Sequence, residues 1–342
     1  IVNFQRHFFA DTNLLDKFTG HCDVIVHLSA VILHNEENYI YQTNINLVDS
    51  LIESIKRTKS KPLVIFISSS HEKLNTVYGK SKKEGRIKLA DFSQVNWNNF
   101  IGLIVPNVFG PFCKPFFNSF IATFSYQLIN QIEPEIRNDD EIDLIYVFDL
   151  VNDIINKISQ KEYRNKTVMK PLKTIRVSEL LYKLKNYYNE YFLNKIIPNI
   201  EDHFDLCLFK SFRSYIGVDF FPVFLIKKTD DRWFYSEIVK TNNKGQVSYS
   251  ITKRMKSRGN HFHLRKIERF TVLSGIGLLK LRKFGTDFTP EYILDGNHPT
   301  YFDIPVCYLH SLTNIGDNEL ITLFWTNELF DVEDSDTYFD KV

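Results

Sequence analysis

At 342 residues the chain is longer than one hydrophobic core ordinarily serves, so about two domains are expected. Lys and Arg number 42 against 41 Asp and Glu, a formal net charge of +1 that leaves no basic excess for nucleic acid. Cys22, Cys113, Cys207 and Cys307 form no CxxC pair, no apolar run approaches the roughly 18 residues of a membrane helix, and no basic-then-apolar leader opens the chain; these features read as a cytoplasmic protein with no membrane partner.

The runs at 23–28, 62–68 and 101–105 are short and continuously apolar, as parallel strands covered on both faces are. Leu47, Leu51, Ile52 and Ile55 recur at helical spacing between the first two, and Ser81 to about Asp91 reads as a further helix. Strand–helix alternation predicts a Rossmann-like α/β doubly wound parallel sheet. From about Phe212 the pattern changes to short β-branched and aromatic segments at 233–239, 246–252, 270–273 and 321–325. Turn signals at Asn242-Asn243, Ser274-Gly275 and Ile315-Gly316 separate them, as in an all-β sandwich or barrel. The expected domains are therefore 1–212 and 213–342.

Tyr78-Gly-Lys-Ser-Lys82 is expected to open a helix, with phenol and ammonium at i and i+4 on one face. Such a lysine stabilises phenolate and lets the tyrosine act as a general acid near neutral pH. Eight residues upstream, Ser70 closes a strand at the edge where open α/β sheets place ligands, a position from which it can bond a substrate carbonyl. With His27-Leu28-Ser29-Ala30, Asn44 and Pro106-Asn107-Val-Phe-Gly110, this segment resembles the extended short-chain dehydrogenases/reductases. The resemblance implies that Leu28, Ser29, Ala30, Asn44 and Asn107 bind a nicotinamide cofactor together with Tyr78 and Lys82. Arg6 follows a short opening strand, where such enzymes read the adenosine ribose, and its cation implies NADPH. The family's glycine-rich turn has no counterpart before Asp23; by that comparison roughly forty residues carrying the first strand, the glycine loop and the first helix are expected ahead of this point, and a real lack of them would cripple nucleotide binding.

His261 and His263 stand at i and i+2, so both rings project from one face of a strand, and Glu268 and His310 are expected from neighbouring strands. Imidazoles plus a carboxylate suit zinc or another first-row divalent metal. Gly275, seven residues after Glu268, and Pro305-x-Cys307-x-x-His310-x-x-x-Asn314 complete a resemblance to the two cupin motifs, which implies a jelly roll. The second motif normally has glycine at Cys307. Sugar-nucleotide epimerases of this superfamily use a histidine near this position as a base, so His261 or His263 is either a ligand or a proton carrier.

The order reductase then cupin resembles the bifunctional capsular polysaccharide synthesis enzymes of the CapF type. That likeness extends to Cys113-Lys-Pro-Phe-Phe-Asn-Ser119, Arg258-Gly-Asn-His-Phe-His263, Asn314-Ile-Gly-Asp317 and Asp336-Thr-Tyr-Phe339. Leu264 replaces a histidine that often follows HxH, and Arg254-Met255 stands where a proline-glycine turn is expected. The resemblance implies C3 epimerisation and then NADPH-dependent C4-keto reduction of a UDP-linked 4-keto-6-deoxy-N-acetylhexosamine. The product would be UDP-2-acetamido-2,6-dideoxy-L-talose, on the route to UDP-N-acetyl-L-fucosamine. It implies substrate contacts at Ser70, Lys114, Asn118 and Ser119, zinc or another divalent metal in the cupin, and a homodimer. Two other readings fit the residues: a nucleotide-sugar reductase or dehydratase with a structural cupin, and a degenerate, non-catalytic sugar-nucleotide-binding protein.

Overall fold

A computed structural model describes residues 4–96 and 99–342. The chain divides into two compact units, one running to Leu184 and taking in Asp202–Tyr215, the other comprising Lys185–Glu201 and Ile216–Val342.

The first unit is built on four parallel strands in the order Val24–His27, Leu63–Ser69, Phe100–Val105, Arg164–Val168. Alternation sends Val64, Phe66 and Phe100 to one face, against Val48, Leu51, Ile52, Ile55 and Leu89 of two helices, Glu37–Thr58 and Val77–Asn96. Leu63, Ile65, Ile101 and Leu103 go to the other, against Leu150 and Ile154 of helix Val147–Gln160. Phe100–Val105 is therefore buried throughout, which is why it reads as a continuous apolar run. Each fully buried side chain there contributes roughly 1.5–3 kcal/mol. In the Glu37–Thr58 helix Val48 takes the inward position and Leu47 is only half-buried. That helix stops at Lys59, whose φ of 51° closes it in a left-handed cap.

The opening strand expected before Arg6 falls on residues 1–3, outside the described residues. Arg6 lies exposed in a 3-10 turn, Arg6–Ala10. The helix Thr12–Gly20 follows, capped by the Asp11 carboxylate, which accepts from the Asn13 and Leu14 amides. A second small sheet joins Asn107–Phe109 in parallel to Glu141–Tyr146 and the latter antiparallel to Lys173–Arg176. Among the described residues no helix is long and apolar enough to cross a membrane.

The second unit is all-β. Five strands run in the order Glu291–Asp295, Ile276–Lys283, Tyr308–Asn314, Ser257–Phe262, Tyr338–Phe339. The other sheet orders Tyr301–Ile304, Glu268–Ser274, Leu320–Thr326, Gln246–Thr252 and Trp233–Thr241, with Lys227–Thr229 and Ile196–Ile197 both pairing on the last. Phe270, Leu279, Leu281, Leu312, Leu320 and Phe324 form the apolar core of this sandwich. Ile196–Ile197 brings the 185–201 segment into the second unit, whereas helix His203–Arg213 belongs to the first.

The two positions where the cupin pattern carries glycine and this chain another residue keep the backbone that glycine supplies. Met255 has φ 58° and Cys307 φ 61°, the left-handed region that costs a side-chain-bearing residue about 1–2 kcal/mol. Met255→Gly and Cys307→Gly should each raise stability by about 0.5–1 kcal/mol once the extra entropy glycine brings to the unfolded chain is subtracted. Denaturant titration checks this, and a loss of stability would show that side-chain packing outweighs the strain.

Candidate functional site

In the first unit, Tyr78 and Lys82 stand one turn apart near the start of helix Val77–Asn96, and Ser70 opens the 3-10 turn Ser70–Lys73 directly after strand Leu63–Ser69. Helix and turn are held together tightly. A Cβ on Gly79 would lie 2.1 Å from the His71 carbonyl oxygen, so only glycine permits the approach. Arg86 makes a buried two-pronged pair with Glu72, at 2.8 and 2.9 Å, and also donates to the Asn165 carbonyl at 3.1 Å. Ser68 donates to the same Glu72 carboxylate. The turn bearing Ser70 is thereby fixed against the helix bearing Tyr78.

Burial raises the Tyr78 phenol above its ordinary pKa, which keeps it protonated at neutral pH. Lys82 is 2% exposed, with its ammonium 4.3 Å from the centre of the Phe66 ring. Burial pulls its pKa down to about 8, partly opposed by Glu72. Because the charged form is the one lost as pH rises, a step needing the Lys82 cation should be constant below about pH 8 and fall about tenfold per unit above it. The stability sign is opposite: the cost of the buried cation is present in full below about 8 and is relieved as pH climbs towards the unfolded value of 10.5. A pH–rate profile of reduction checks the first statement. A profile flat to pH 10 would separate the rate from this amine.

Asn44 clamps the loop after the first strand: its amide accepts from the Val31 N–H at 2.7 Å, donates to the Val31 carbonyl at 3.0 Å and donates to Ser81 at 3.0 Å. Leu28 is exposed, Ser29 and Ala30 half-buried, all on that loop. His27 lies behind it between Phe66 and Phe9, and burial holds its pKa near 3, so the imidazole is neutral. Asn107 donates to the Asp143 carbonyl at 3.2 Å, tying the small sheet together. Ser119 caps helix Phe120–Ile129 by accepting from the Ala122 amide, while Lys114 and Asn118 are exposed on the loop before it.

In the second unit the four residues meet. Glu268 Oε2 lies 3.5 Å from His263 Nε2 and 3.3 Å from His310 Nε2, and the His261 ring centre stands 4.5 Å from that of His310. One donor atom from each of the four falls within 4.8 Å of the others. His261 and His310 are cross-strand partners, whereas Glu268 comes from the opposite sheet. A bulge at Gly259, whose φ of 95° places it where a Cβ would meet the His310 carbonyl at 2.5 Å, turns the strand before His261. His263 lies just past the strand end, its Nδ1 fixed on the Asp336 carbonyl at 2.6 Å. Asp336 in turn accepts from the amides of Leu264, Arg265 and Lys266. Burial pushes the Glu268 carboxyl up, but the two imidazoles outweigh it and hold the pKa well below the usual range. Burial and the neighbouring His310 bring His261 down to about 3. Burial lowers the His263 pKa, but its pairing with Glu268 and the Asp336 carbonyl outweighs this and raises it. The set fits a divalent cation: three imidazoles gather at an ionised carboxylate, Glu268 Oε2 has no hydrogen-bond partner, and the Asp336 carbonyl engages His263 Nδ1, leaving Nε2 for a metal.

His261, His263 and Glu268 line a cavity of about 860 Å³ whose other walls were not anticipated. The Arg258 guanidinium sits 3.9 Å over the Phe324 ring and donates to Ser250 at 2.6 Å, and burial lowers its pKa to about 10. Tyr235 donates to Ser248 at 2.7 Å and accepts from the Gln246 amide at 2.8 Å; burial raises its phenol. Lys228, Arg232, Lys266 and Lys341 add positive charge to the lining.

Fold and clusters together define a short-chain dehydrogenase/reductase-like oxidoreductase joined to a cupin. Residues 3–167 match the NAD dependent epimerase/dehydratase family and residues 228–338 the polysaccharide biosynthesis C-terminal domain. The chain resembles the crystal structure of the capsular polysaccharide assembling protein CapF from Staphylococcus aureus, with 30% identity over 99% of this chain and 91% of that one and a TM-score of 0.86. A CapF structure with the inhibitor 3-isopropenyl-tropolone gives 29% identity over 100% and 92%, with a TM-score of 0.82. A UDP-2-acetamido-2,6-beta-L-arabino-hexul-4-ose reductase of Pseudomonas aeruginosa is 27% identical over 99% of this chain and 91% of its own length. The chain belongs to the CapF family of capsular polysaccharide enzymes. It is an oxidoreductase of nucleotide-sugar biosynthesis that uses a nicotinamide cofactor.

Proposed function

We propose that the chain carries out two consecutive reactions on a UDP-linked 4-keto-6-deoxy-N-acetylhexosamine, C3 epimerisation in the cupin cavity and then NADPH-dependent reduction at C4. The product is UDP-2-acetamido-2,6-dideoxy-L-talose, which precedes UDP-N-acetyl-L-fucosamine. The observation that carries this reading is the presence on one chain of two chemically distinct sets, Ser70, Tyr78 and Lys82 on an adjoining turn and helix, and the three-imidazole, one-carboxylate cluster.

The hydrogen on C3 is acidic because it lies α to the C4 ketone. His261, held neutral by burial, accepts it in this scheme, and the enolate oxygen forms against the Arg258 guanidinium, which its stacking on Phe324 and its bond to Ser250 keep in place. Protonation on the opposite face inverts C3, and Tyr235 is the phenol available in the same cavity. With His261 as the base, His263, Glu268 and His310 would hold a zinc or other divalent ion, which would supply Lewis acidity towards the ketone when bound. The basic lining, Lys228, Arg232 and Lys341, suits the diphosphate. In the reductase half, hydride passes from NADPH to C4 while Tyr78 gives its proton to the alkoxide oxygen. Ser70 hydrogen-bonds that oxygen, and Lys82 supports the tyrosine and the nicotinamide ribose. Arg6 reads the 2′-phosphate, Leu28, Ser29, Ala30, Asn44 and Asn107 frame the cofactor, and Lys114, Asn118 and Ser119 border the sugar nucleotide.

Incubation with the 4-keto UDP-sugar and NADPH in deuterated water, followed by mass analysis, tests the scheme. A product with solvent deuterium at C3 and a reduced C4 supports it. Reduction without exchange would leave a reductase with a structural cupin, and neither reaction would leave a binding protein.

A further inference from the structure

A second cluster lies in the first unit and shares no residue with those assigned above. His203 and Cys207 stand at i and i+4 on helix His203–Arg213, hence on one face, and Asp149 reaches them from helix Val147–Gln160. His203 Nε2 is 2.9 Å from Asp149 Oδ2 and 3.6 Å from Cys207 Sγ, and one donor atom from each of the three residues falls within 4.8 Å of the others. We propose that Asp149, His203 and Cys207 form a binding site for a zinc-like divalent cation, with one carboxylate, one imidazole and one thiolate ligand and a fourth position taken by water.

The distances fit. Zinc bonds of roughly 2.0–2.2 Å to nitrogen and oxygen and 2.3 Å to sulfur, arranged tetrahedrally, place sulfur and nitrogen about 3.6 Å apart and nitrogen and oxygen about 3.4 Å apart. The sulfur spacing is already met. The shorter Asp149–His203 spacing opens by a movement of about 0.5 Å, which the exposed His203 ring can make. Three ligands with an open fourth position, drawn from two helices, would tie those helices together. The Cys207 side chain is buried at the helix contact, and burial together with Asp149 raises its pKa to about 11. Cation binding therefore displaces one proton from the sulfur as the metal–sulfur bond forms.

Cobalt(II) is the probe, because a thiolate ligand gives a near-ultraviolet charge-transfer band that nitrogen and oxygen ligands do not. Titration of the reduced, full-length protein should produce that band, saturating when one cobalt has entered this site in addition to the one the cupin cluster takes up. Cys207→Ser should abolish it, and Asp149→Asn and His203→Gln, both at partly exposed positions, should weaken binding at least tenfold. His263→Ala should leave the band intact, since the cupin cluster contains no sulfur. Absence of the band once two equivalents are bound, its survival in Cys207→Ser, or full strength in both Asp149→Asn and His203→Gln would overturn the assignment.

Discussion

Tyr78→Phe is expected to lower C4 reduction by about 10²–10⁴-fold while leaving C3 deuterium exchange at its wild-type rate. In the proposed scheme the phenol protonates the alkoxide as hydride arrives, and burial keeps it protonated at neutral pH. Phenylalanine preserves the ring, its edge contact with His71 at 5.9 Å and the approach of helix to turn that Gly79 permits, so the variant removes a proton rather than a fold. KM for the sugar nucleotide should change little, because the proton is transferred only in the transition state. Stopped-flow NADPH oxidation reads the first half and mass analysis in deuterated water the second. If both reactions fell together, the two clusters would not be separate sites.

Much of the architecture was legible because its physics is local. A strand covered by helices on both faces must be apolar at every residue, so Phe100–Val105 announced itself, and the HxH spacing survives the Gly259 bulge. The cavity walls were not legible for a reason that strand Gln246–Thr252 makes plain. Its period of two is obvious, but here Gln246, Ser248, Ser250 and Thr252 are buried while Val247, Tyr249 and Ile251 are only half-buried. Alternation fixes which residues share a face and not which face is the interior. A strand lining a polar cavity therefore presents the inverse of the usual pattern, and Tyr235 and Arg258, whose partners are Ser248 and Ser250, disappear with it. The buried Glu72–Arg86 pair escaped for another reason: its members are fourteen residues apart, in a turn and a helix that only the packing around Gly79 brings together.

His263→Ala tests the other half of the molecule and should have the larger structural cost. The imidazole joins two parts of the site: Nε2 faces Glu268 at 3.5 Å, and Nδ1 engages the Asp336 carbonyl, whose own carboxylate holds the 264–266 turn. Truncation removes one of the two imidazoles that stabilise the buried Glu268 carboxylate, a change of the kind that costs about 3–5 kcal/mol when a buried charge loses its partner. In the proposed scheme it also takes one ligand from the cation. Bound metal should fall below stoichiometric levels and C3 exchange should drop about a hundredfold or more. Reduction of substrate already epimerised should persist, because Tyr78, Lys82 and Ser70 belong to the first unit. Elemental analysis and exchange measured on the same preparation decide the matter. Undiminished metal content would remove His263 from the ligand set, and full metal loss with undiminished exchange would confine the ion to holding the fold and leave proton transfer to His261, Tyr235 and Arg258.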